Sequence, residues 1–324
     1  MNHFCTYFDS NYLVRGLTMY RSMRVCAADF HLHVLALDHA VEEILRRLNP
    51  PNLEVIGLSA LERWEPRYQS ARRNRSLVEY YFTLSPGLPL YLMQTNREID
   101  RITYVDADLF FYGSPQALMN ELGSKSILIT EHRYPSHLTD HVMYGRYNVQ
   151  YQTFRRDEAG LQCLRRWHEQ CLEWCYDRVE PERYADQKYL DEWPRLYGDA
   201  LVVSSHKGAG LAPWNWSTES IEYTPAGLRI GGHPLLFYHF HGVKVFGPHF
   251  ISNGLLDWGM MPWKIRRWLY SGYVRELRMT RAWIRTQTGV KLALRDRIRR
   301  GKGVRLDTLG EVARKAWAQL MIIP

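Results

Sequence analysis

The chain has 324 residues, of which 46% are hydrophobic and 23% are charged. These proportions are typical of a folded protein and exclude a disordered chain. The five cysteines are an odd number without the spacing of a disulfide framework, which predicts a reducing compartment. No apolar stretch approaches roughly 18 residues, and the N-terminus lacks a signal-peptide pattern, so we expect a cytoplasmic protein.

The net charge of +8 is concentrated at one end of the chain. Residues 262–324 hold 16 Lys and Arg against 4 Asp and Glu, whereas residues 1–261 hold 26 against 30. The body of the protein is therefore mildly acidic, which argues against a nucleic-acid partner. We expect a domain over residues 1–255 and a basic, Trp-rich helical extension over residues 256–324.

Strand and helix patterns alternate over the first half of the chain. The predicted elements are a strand at 3–8, a helix at 12–23, a strand at 30–37, a helix at 41–48, strands at 53–57, 101–106, 126–130 and 148–154, a helix at 158–177 and a strand at 235–240. Such alternation predicts an α/β, Rossmann-like fold with a mostly parallel central sheet and right-handed crossovers. In such sheets, ligands bind at the carboxyl ends of the strands.

Two aspartates, Asp106 and Asp108, stand where a hydrophobic strand meets its loop. Carboxylates in this position are costly unless their charge is compensated. Mg²⁺ and Mn²⁺ bind carboxylate oxygens and keep positions open for the phosphates of a substrate. The alternative is that the pair caps the turn after the strand, which is common turn chemistry.

Five short segments of the chain resemble one enzyme family in the same order. They are residues 8–12 (FDSNY), 106–108 (DAD), 147–149 (YNV), 186–187 (DQ) and 239–244 (HFHGVK). The chain resembles the family-8 metal-dependent glycosyltransferases of the A-type nucleotide-sugar fold, the group of glycogenin and bacterial lipopolysaccharide galactosyltransferases. The resemblance implies transfer of a hexose from a UDP-sugar to a hydroxyl of a cell-envelope glycan, of lipopolysaccharide or capsule type, with retention of configuration.

The resemblance also implies a metal site that holds Mn²⁺ or Mg²⁺. Its protein ligands would be Asp106, Asp108 and His239, with Asp106 also close to the donor. An imidazole beside two carboxylates suits Mn²⁺ better than Ca²⁺. His241 has the same strand phase as His239 and stays the alternative ligand.

A nucleotide pocket is implied at Asp9, Asn11 and Tyr12. Asp9 can accept the N3–H of uracil, and Tyr12 can stack on the base. The structural alternative is that Asp9 or Ser10 caps the next helix and Tyr12 is its first core residue. Gly242 and Lys244 would meet the diphosphate, although this lysine stands two residues after the glycine and the family's stands three after.

The bond-forming residues are implied at Asp186 and Gln187. Asp186, together with Asn148, would hold hydroxyl groups of the donor sugar. Gln187 carries a neutral amide, so we expect it to stabilise an oxocarbenium-like transition state and not to attack the sugar. The structural alternatives are a helix cap at Asp186 and a strand start at Asn148.

The basic tail interleaves Trp and Tyr with Lys and Arg over residues 262–284, and residues 295–300 add further positive charge. This pattern is typical of a helix on an anionic membrane surface. A packed helix with a solvated basic face and a nucleic-acid-binding tail are the alternatives. The membrane interpretation places the protein on the cytoplasmic face of a membrane, next to a glycolipid acceptor. The alternative functions are a sugar-phosphate nucleotidyltransferase and a non-catalytic carbohydrate- or membrane-binding protein.

Overall fold

The structure is a computed structural model that describes residues 1–27, 29–246, 250–255, 258–292 and 320–322. Its strands are β1 (Asn2–Phe8), β2 (Phe30–Ala36), β3 (Leu53–Gly57), β4 (Arg101–Val105), β5 (Leu109–Phe111), β6 (Ile127–Glu131), β7 (Tyr147–Arg155), β8 (Leu201–Val203), β9 (Ile221–Thr224), β10 (Gly227–Ile230), β11 (His233–Pro234), β12 (Phe237–His239), β13 (Lys244–Val245), β14 (Phe250–Ser252) and β15 (Leu320–Ile322). Its α-helices are α1 (Leu13–Cys26), α2 (His39–Leu48), α3 (Leu58–Trp64), α4 (Arg67–Asn74), α5 (Leu77–Leu84), α6 (Gly87–Thr95), α7 (Gln116–Leu122), α8 (Glu158–Glu173), α9 (Trp193–Tyr197) and α10 (Trp263–Thr288).

Several helices begin at side chains that cap them. The Asp38 carboxylate accepts from Val41 N at the start of α2, and the Asp157 carboxylate does the same for α8. Ser76 and Glu79 form a reciprocal capping box at the start of α5. These side chains satisfy backbone N–H groups that a helix leaves unpaired, which explains why the helices begin where they do.

The central sheet has seven strands in the order β3-β2-β1-β4-β7-β6-β8. The β3-β2-β1-β4 half is parallel, and β6 and β8 are parallel to each other. The predicted mostly parallel α/β sheet is therefore confirmed. β7, which covers the strand predicted at 148–154, runs antiparallel to β4 and β6. The start of β7 consequently lies at the edge where β4 ends.

Two hydrophobic layers cover the sheet. One contains α1 and α10 residues such as Leu17 and Leu277, and the other contains helical residues such as Tyr68 and Trp167. A two-stranded ribbon of β5 and β12 extends from the first layer. The division of the chain at residues 255/256 stays a prediction, and α10 shares the core of the preceding domain.

Helix α10 packs its apolar face onto α1. Leu269, Tyr273 and Leu277 are buried against the domain, and Thr280 Oγ1 lies 2.9 Å from Thr18 Oγ1 of α1. This is the arrangement of the packed-helix alternative, in which the exposed face is basic. The basic run at 295–300 lies outside the described residues. Among the helices of the described segments, none has the length and apolar character needed to cross a bilayer.

Candidate functional site

Asp106, Asp108 and His239 meet at the carboxyl edge of the central sheet. β4 ends at Val105, and the next turn carries both aspartates before β5 begins at Leu109. β12 pairs antiparallel with β5, which places His239 opposite Leu109. The Nε2 atom of His239 lies 3.0 Å from Asp108 Oδ1 and 3.8 Å from Asp106 Oδ2. Strand pairing thus joins residues that are more than a hundred positions apart in the chain.

The rival ligand His241 lies outside this cluster. β12 ends at His239, whose ring is buried, and His241 follows in an exposed turn. Each of Asp106, Asp108 and His239 offers one ligand atom within 4.8 Å of the others. The geometry therefore favours His239 over His241 as the third member of the group.

Two neighbouring side chains orient the cluster. The Nδ1–H group of His239 donates to Gln150 Oε1 at 3.0 Å, and the Tyr104 hydroxyl donates to Asp106 Oδ1 at 3.1 Å. Because an acceptor holds the proton on Nδ1, a neutral His239 directs the Nε2 lone pair towards the aspartates.

Ionisation within the cluster is strongly coupled. Burial raises the pKa of Asp106 to about 6, although attraction to His239 opposes it. For Asp108, the effect of burial is outweighed by the charge and hydrogen bond of His239, which lower the pKa to about 2. Burial alone would lower the pKa of His239, but its attraction to the two aspartates raises it. The buried carboxylates thus depend on neighbouring positive charge.

The donor set fits a divalent cation. Two carboxylates and one imidazole converge from the β4–β5 turn and from β12. Oxygen donors suit both Mg²⁺ and Mn²⁺, and the imidazole favours Mn²⁺ over Mg²⁺. Three protein ligands leave further coordination positions for phosphate oxygens and water.

Replacing Gln150 by Met is expected to weaken Mn²⁺ binding by about 10- to 100-fold, because His239 loses the acceptor that orients its ring. Met keeps a side chain of similar length at this fully buried position. Gln152→Met is the matched control, since Gln152 is equally buried on β7 and donates to the Asn148 carbonyl oxygen. Calorimetric titration with Mn²⁺ compares the two variants, and equal affinities would contradict an orienting role for Gln150.

The loop after β1 is organised by Asp9. Its Oδ1 accepts from the backbone N–H groups of Asn11 and Tyr12 at 3.0 and 3.2 Å, and its Oδ2 accepts from Asn11 Nδ2 at 2.9 Å. Asp9 thus shapes the turn into α1, but it does not cap the helix as the structural alternative expected, because Tyr12 occupies the cap position without a side-chain capping bond. Tyr12 is 39% exposed and is not a core residue, with the Arg15 guanidinium over its ring.

Arg15 connects this loop to the segment after β12. Its side chain is buried, and it donates to the carbonyl oxygens of Asn11 and Val243, both at 3.2 Å. Val243 stands between Gly242, which has a φ of +73°, and the exposed Lys244. The buried Arg15 and the exposed Lys244 therefore place two positive charges at the segment that the family resemblance assigns to the diphosphate.

Gly254 allows two backbone segments to approach closely beside this segment. It has a φ of +68°, and an added Cβ would lie 2.9 Å from the His241 carbonyl oxygen and 3.1 Å from the Gly242 carbonyl carbon. Because these are backbone atoms, we expect Gly254→Ala to lower the free energy of unfolding by about 1–3 kcal/mol.

Gly272→Ala is the matched control for Gly254→Ala. Gly272 lies within α10, and nothing lies within 4 Å of its added Cβ. An alanine there is expected to add about 0.5–1 kcal/mol of stability. Urea unfolding measures both variants, and a Gly254→Ala protein as stable as the wild type would contradict the close backbone approach.

Asp186 is a buried carboxyl near Asp106. Burial raises its pKa to about 7, with a hydrogen bond from Ser85 opposing and the charge of Asp106 assisting. The expected alternative of a helix cap at Asp186 is not what the structure shows. The following 3₁₀ helix begins at Lys188, with Gln187 in the cap position and no side-chain capping bond.

Three hydroxyl side chains lie near Asp186 and Asp106. The Ser85 hydroxyl lies 3.0 Å from the Tyr7 hydroxyl, and the Tyr104 hydroxyl donates to Asp106 Oδ1 at 3.1 Å. The rings of Tyr7 and Tyr104 have centroids 5.8 Å apart. Both carboxyl groups with raised pKa values thus have hydroxyl groups in their surroundings.

Gln187 and Asn148 have polar partners within the protein. Gln187 Nε2 donates to the Tyr144 carbonyl oxygen at 2.9 Å, which orients the carboxamide. Asn148 is buried, with Nδ2 2.7 Å from His132 Nε2 and Oδ1 accepting from Gln150 N at 2.7 Å. Asn148 therefore supports the strand that carries Gln150. Its contact with a donor sugar, like the catalytic role of Gln187, stays a prediction.

Sequence patterns did not predict the residues that surround the cluster. These are Tyr7, Arg15, Ser85, Tyr104, Gln150 and Trp214, the last of which packs its ring edge-on against His239. One signal was available: residues 148, 150 and 152 place polar side chains at alternate positions of an otherwise apolar strand. Buried polar side chains in a strand interior need partners, so such a pattern indicates a polar network.

No family model matches the chain. Two Bacillus subtilis (strain 168) relatives, the uncharacterized proteins YfnF and YfnD, are 27% and 28% identical over 250 and 243 residues. The alignments cover 75% and 74% of this chain and 82% and 77% of the relatives. The names of these two relatives do not describe a function.

Solved structures show the fold. The galactosyltransferase LgtC in complex with donor and acceptor sugar analogs matches with a TM-score of 0.52 and 14% identity, over 86% of this chain and 95% of that one. An active-site mutant of LgtC matches with a TM-score of 0.50 and 15% identity over the same shares. At identities this low, structural similarity shows the fold and nothing about the substrate. The chain therefore has a glycosyltransferase fold.

Proposed function

We propose that this chain is a metal-dependent glycosyltransferase that moves a hexose from a UDP-sugar to a hydroxyl of a cell-envelope glycan, of lipopolysaccharide or capsule type. The observation that carries the proposal is the convergence of Asp106, Asp108 and His239. They lie at the carboxyl edge of a mostly parallel sheet, where such folds bind nucleotides. LgtC, which has this fold, was solved with donor and acceptor sugar analogs.

The aspartates and His239 would hold Mn²⁺ or Mg²⁺, and the ion would neutralise the charge of the departing nucleoside diphosphate. Gly242 has no side chain and adopts a positive φ, so a phosphate can approach its backbone closely. Lys244 adds an exposed point charge on the same segment. These residues would bind the diphosphate and orient it for departure.

The loop of Asp9, Asn11 and Tyr12 would bind the uracil base. The Asp9 carboxylate already accepts three hydrogen bonds from Asn11 and Tyr12. A carboxylate has about four acceptor positions, so one more is available for the uracil N3–H. The exposed ring of Tyr12 would stack on the base.

The bond-forming side would consist of Asp186, Asn148 and Gln187. The first two would bind hydroxyls of the hexose. Gln187, oriented by the Tyr144 carbonyl oxygen, would turn its neutral amide dipole towards positive charge that develops at the anomeric carbon. An amide is a weak nucleophile, so this arrangement favours retention by attack of the acceptor on the leaving-group face.

A glycolipid acceptor would bring the enzyme to the cytoplasmic face of a membrane. The exposed face of α10 carries Lys264, Arg267, Arg275 and Arg281, and Trp263 is 52% exposed. Anionic lipid attracts each such cation by about 1 kcal/mol. Sedimentation with anionic vesicles, but not with neutral ones, is expected. Equal sedimentation with both kinds of vesicle would contradict an electrostatic membrane surface.

Release of UDP from a panel of UDP-hexoses tests the proposed activity without knowledge of the acceptor. We expect slow hydrolysis of one donor with Mn²⁺ or Mg²⁺ and none in EDTA. Formation of UTP from a UDP-sugar and pyrophosphate would instead identify a nucleotidyltransferase. Binding of a donor or glycan without turnover would identify a non-catalytic protein of the same fold.

A further inference from the structure

A second group of metal-binding side chains lies on the first three strands of the sheet. His31 and His33 on β2 and Glu54 on β3 each offer one ligand atom, and these atoms lie within 4.8 Å of one another. The strand register explains the convergence. His33 stands opposite Glu54, and His31 precedes His33 by two residues, so the three side chains share one face of the sheet. We call these three residues the histidine cluster.

Hydrogen bonds hold the central ring of the histidine cluster at both nitrogens. His33 Nδ1 lies 2.6 Å from Glu54 Oε2, and His33 Nε2 lies 3.0 Å from Nδ1 of His3 on β1. The rings of His31 and His33 have centroids 4.7 Å apart. The side chain of His33 is 2% exposed, whereas that of Glu54 is 54% exposed. The cluster thus combines a fixed ligand with an opening to solvent.

We propose that the histidine cluster binds a transition-metal ion of the Zn²⁺ type, with His31, His33 and Glu54 as ligands. Two imidazoles and one carboxylate form a donor set that zinc uses with water in the fourth position. A ligating histidine usually hydrogen-bonds through its other nitrogen to a neighbouring group, which fixes its tautomer. His3 is placed to accept the Nε2–H of His33 in this way.

The histidine cluster is separate from the site of the proposed transferase activity. His33 stands opposite Cys5 of β1, which stands opposite Tyr104 of β4. Tyr104 is two residues before Asp106, so His33 lies about 7 Å along the strands and two strands, or about 10 Å, across the sheet from Asp106. The donor sets also differ. Two imidazoles with one carboxylate favour zinc, whereas two carboxylates with one imidazole favour the harder Mn²⁺. Zinc binding here does not depend on whether the proposed function is right.

Calorimetric titration with zinc chloride tests the proposal, using untagged full-length protein that is saturated with Mn²⁺. We expect one zinc equivalent to bind the wild type, and His31→Gln and Glu54→Gln each to weaken that binding at least about tenfold. Zinc should also raise the Tm of the wild type more than that of either variant, because it stabilises only a folded protein that binds it. The zinc-free Tm of each variant reports whether it folds.

Two further variants serve as controls. His39→Gln removes an exposed histidine that faces only Glu43 across one helical turn, at 4.0 Å, and should leave zinc binding unchanged. Asp108→Asn should also keep the zinc site, even if it abolishes transferase activity. Wild-type zinc affinity in both His31→Gln and Glu54→Gln, or loss of zinc binding in Asp108→Asn, would overturn the proposal.

Discussion

Asp108→Asn is expected to lower the metal-dependent rate of UDP-sugar hydrolysis by about 10²- to 10³-fold, the range for loss of one strong electrostatic contact in an active site. Asp108 lies 3.0 Å from His239, and its pKa is lowered to about 2, so it is ionised at every pH at which the protein would work. The amide has the same shape and no charge. It therefore removes one anionic ligand and leaves the remaining carboxylate to bind the cation.

Asp100→Asn is the matched control for this experiment. Asp100 is exposed and directly precedes β4, whereas Asp108 lies beyond its other end. The control should keep the wild-type rate and the wild-type response to Mn²⁺. Circular dichroism and urea unfolding report whether Asp108→Asn folds, since His239 loses its nearest partner. A folded Asp108→Asn protein that hydrolyses UDP-sugar at a rate near that of the wild type would contradict the assignment of Asp108 as a metal ligand.

Asp186→Asn is expected to gain stability relative to the wild type as the pH rises. Burial raises the pKa of Asp186 to about 7, from an ordinary value of about 3.9. Between these values the folded protein holds a proton that the unfolded chain has lost, so the contribution of Asp186 to wild-type stability is greatest at low pH and falls as the pH rises towards 7. The side chain of the Asp186→Asn variant does not ionise, so the variant does not lose this stability as the pH rises.

The advantage of Asp186→Asn should grow by about 3 kcal/mol between pH 5 and pH 8, because each unit of pKa difference corresponds to about 1.4 kcal/mol. Asp186 is only 5% exposed, so solvent screening is small. Urea unfolding in EDTA at the two pH values measures the change, with Asp100→Asn as control. If Asp186→Asn were more stable than the wild type by the same amount at both pH values, the result would contradict an energetic cost of ionising the buried Asp186. The variant should also lose transferase activity if Asp186 binds the sugar, which would be a trade of function against stability.

The sequence predicted the carboxyl edge of the sheet because local patterns are enough for that purpose. An apolar run followed at once by Asp106 and Asp108 indicates a buried strand with polar residues at its end. The direction of β7 could not be predicted in this way. A buried strand is apolar whichever way it runs, so periodicity alone does not distinguish parallel from antiparallel pairing.

The supporting residues depend on contacts between distant parts of the chain. Gln150 reaches His239 because β7 pairs with β4 while β12 pairs with β5. Tyr104 donates to Asp106, and Ser85 affects Asp186, through hydroxyl groups that come from separate elements. None of these pairings has a short sequence motif. The apolar stripe of α10 was likewise visible in the sequence, but not the surface against which it packs.

The measurement that tests the central claim most directly is UDP binding by calorimetry, with Mn²⁺ and with EDTA. The wild type and the Asp100→Asn control should bind UDP more tightly with Mn²⁺ than in EDTA. The Asp106→Asn/Asp108→Asn double variant should bind UDP equally weakly in both, because the bridge between carboxylates and diphosphate is lost. A folded double variant that binds UDP with wild-type affinity in Mn²⁺ would contradict the assignment of these aspartates to a nucleotide–metal site.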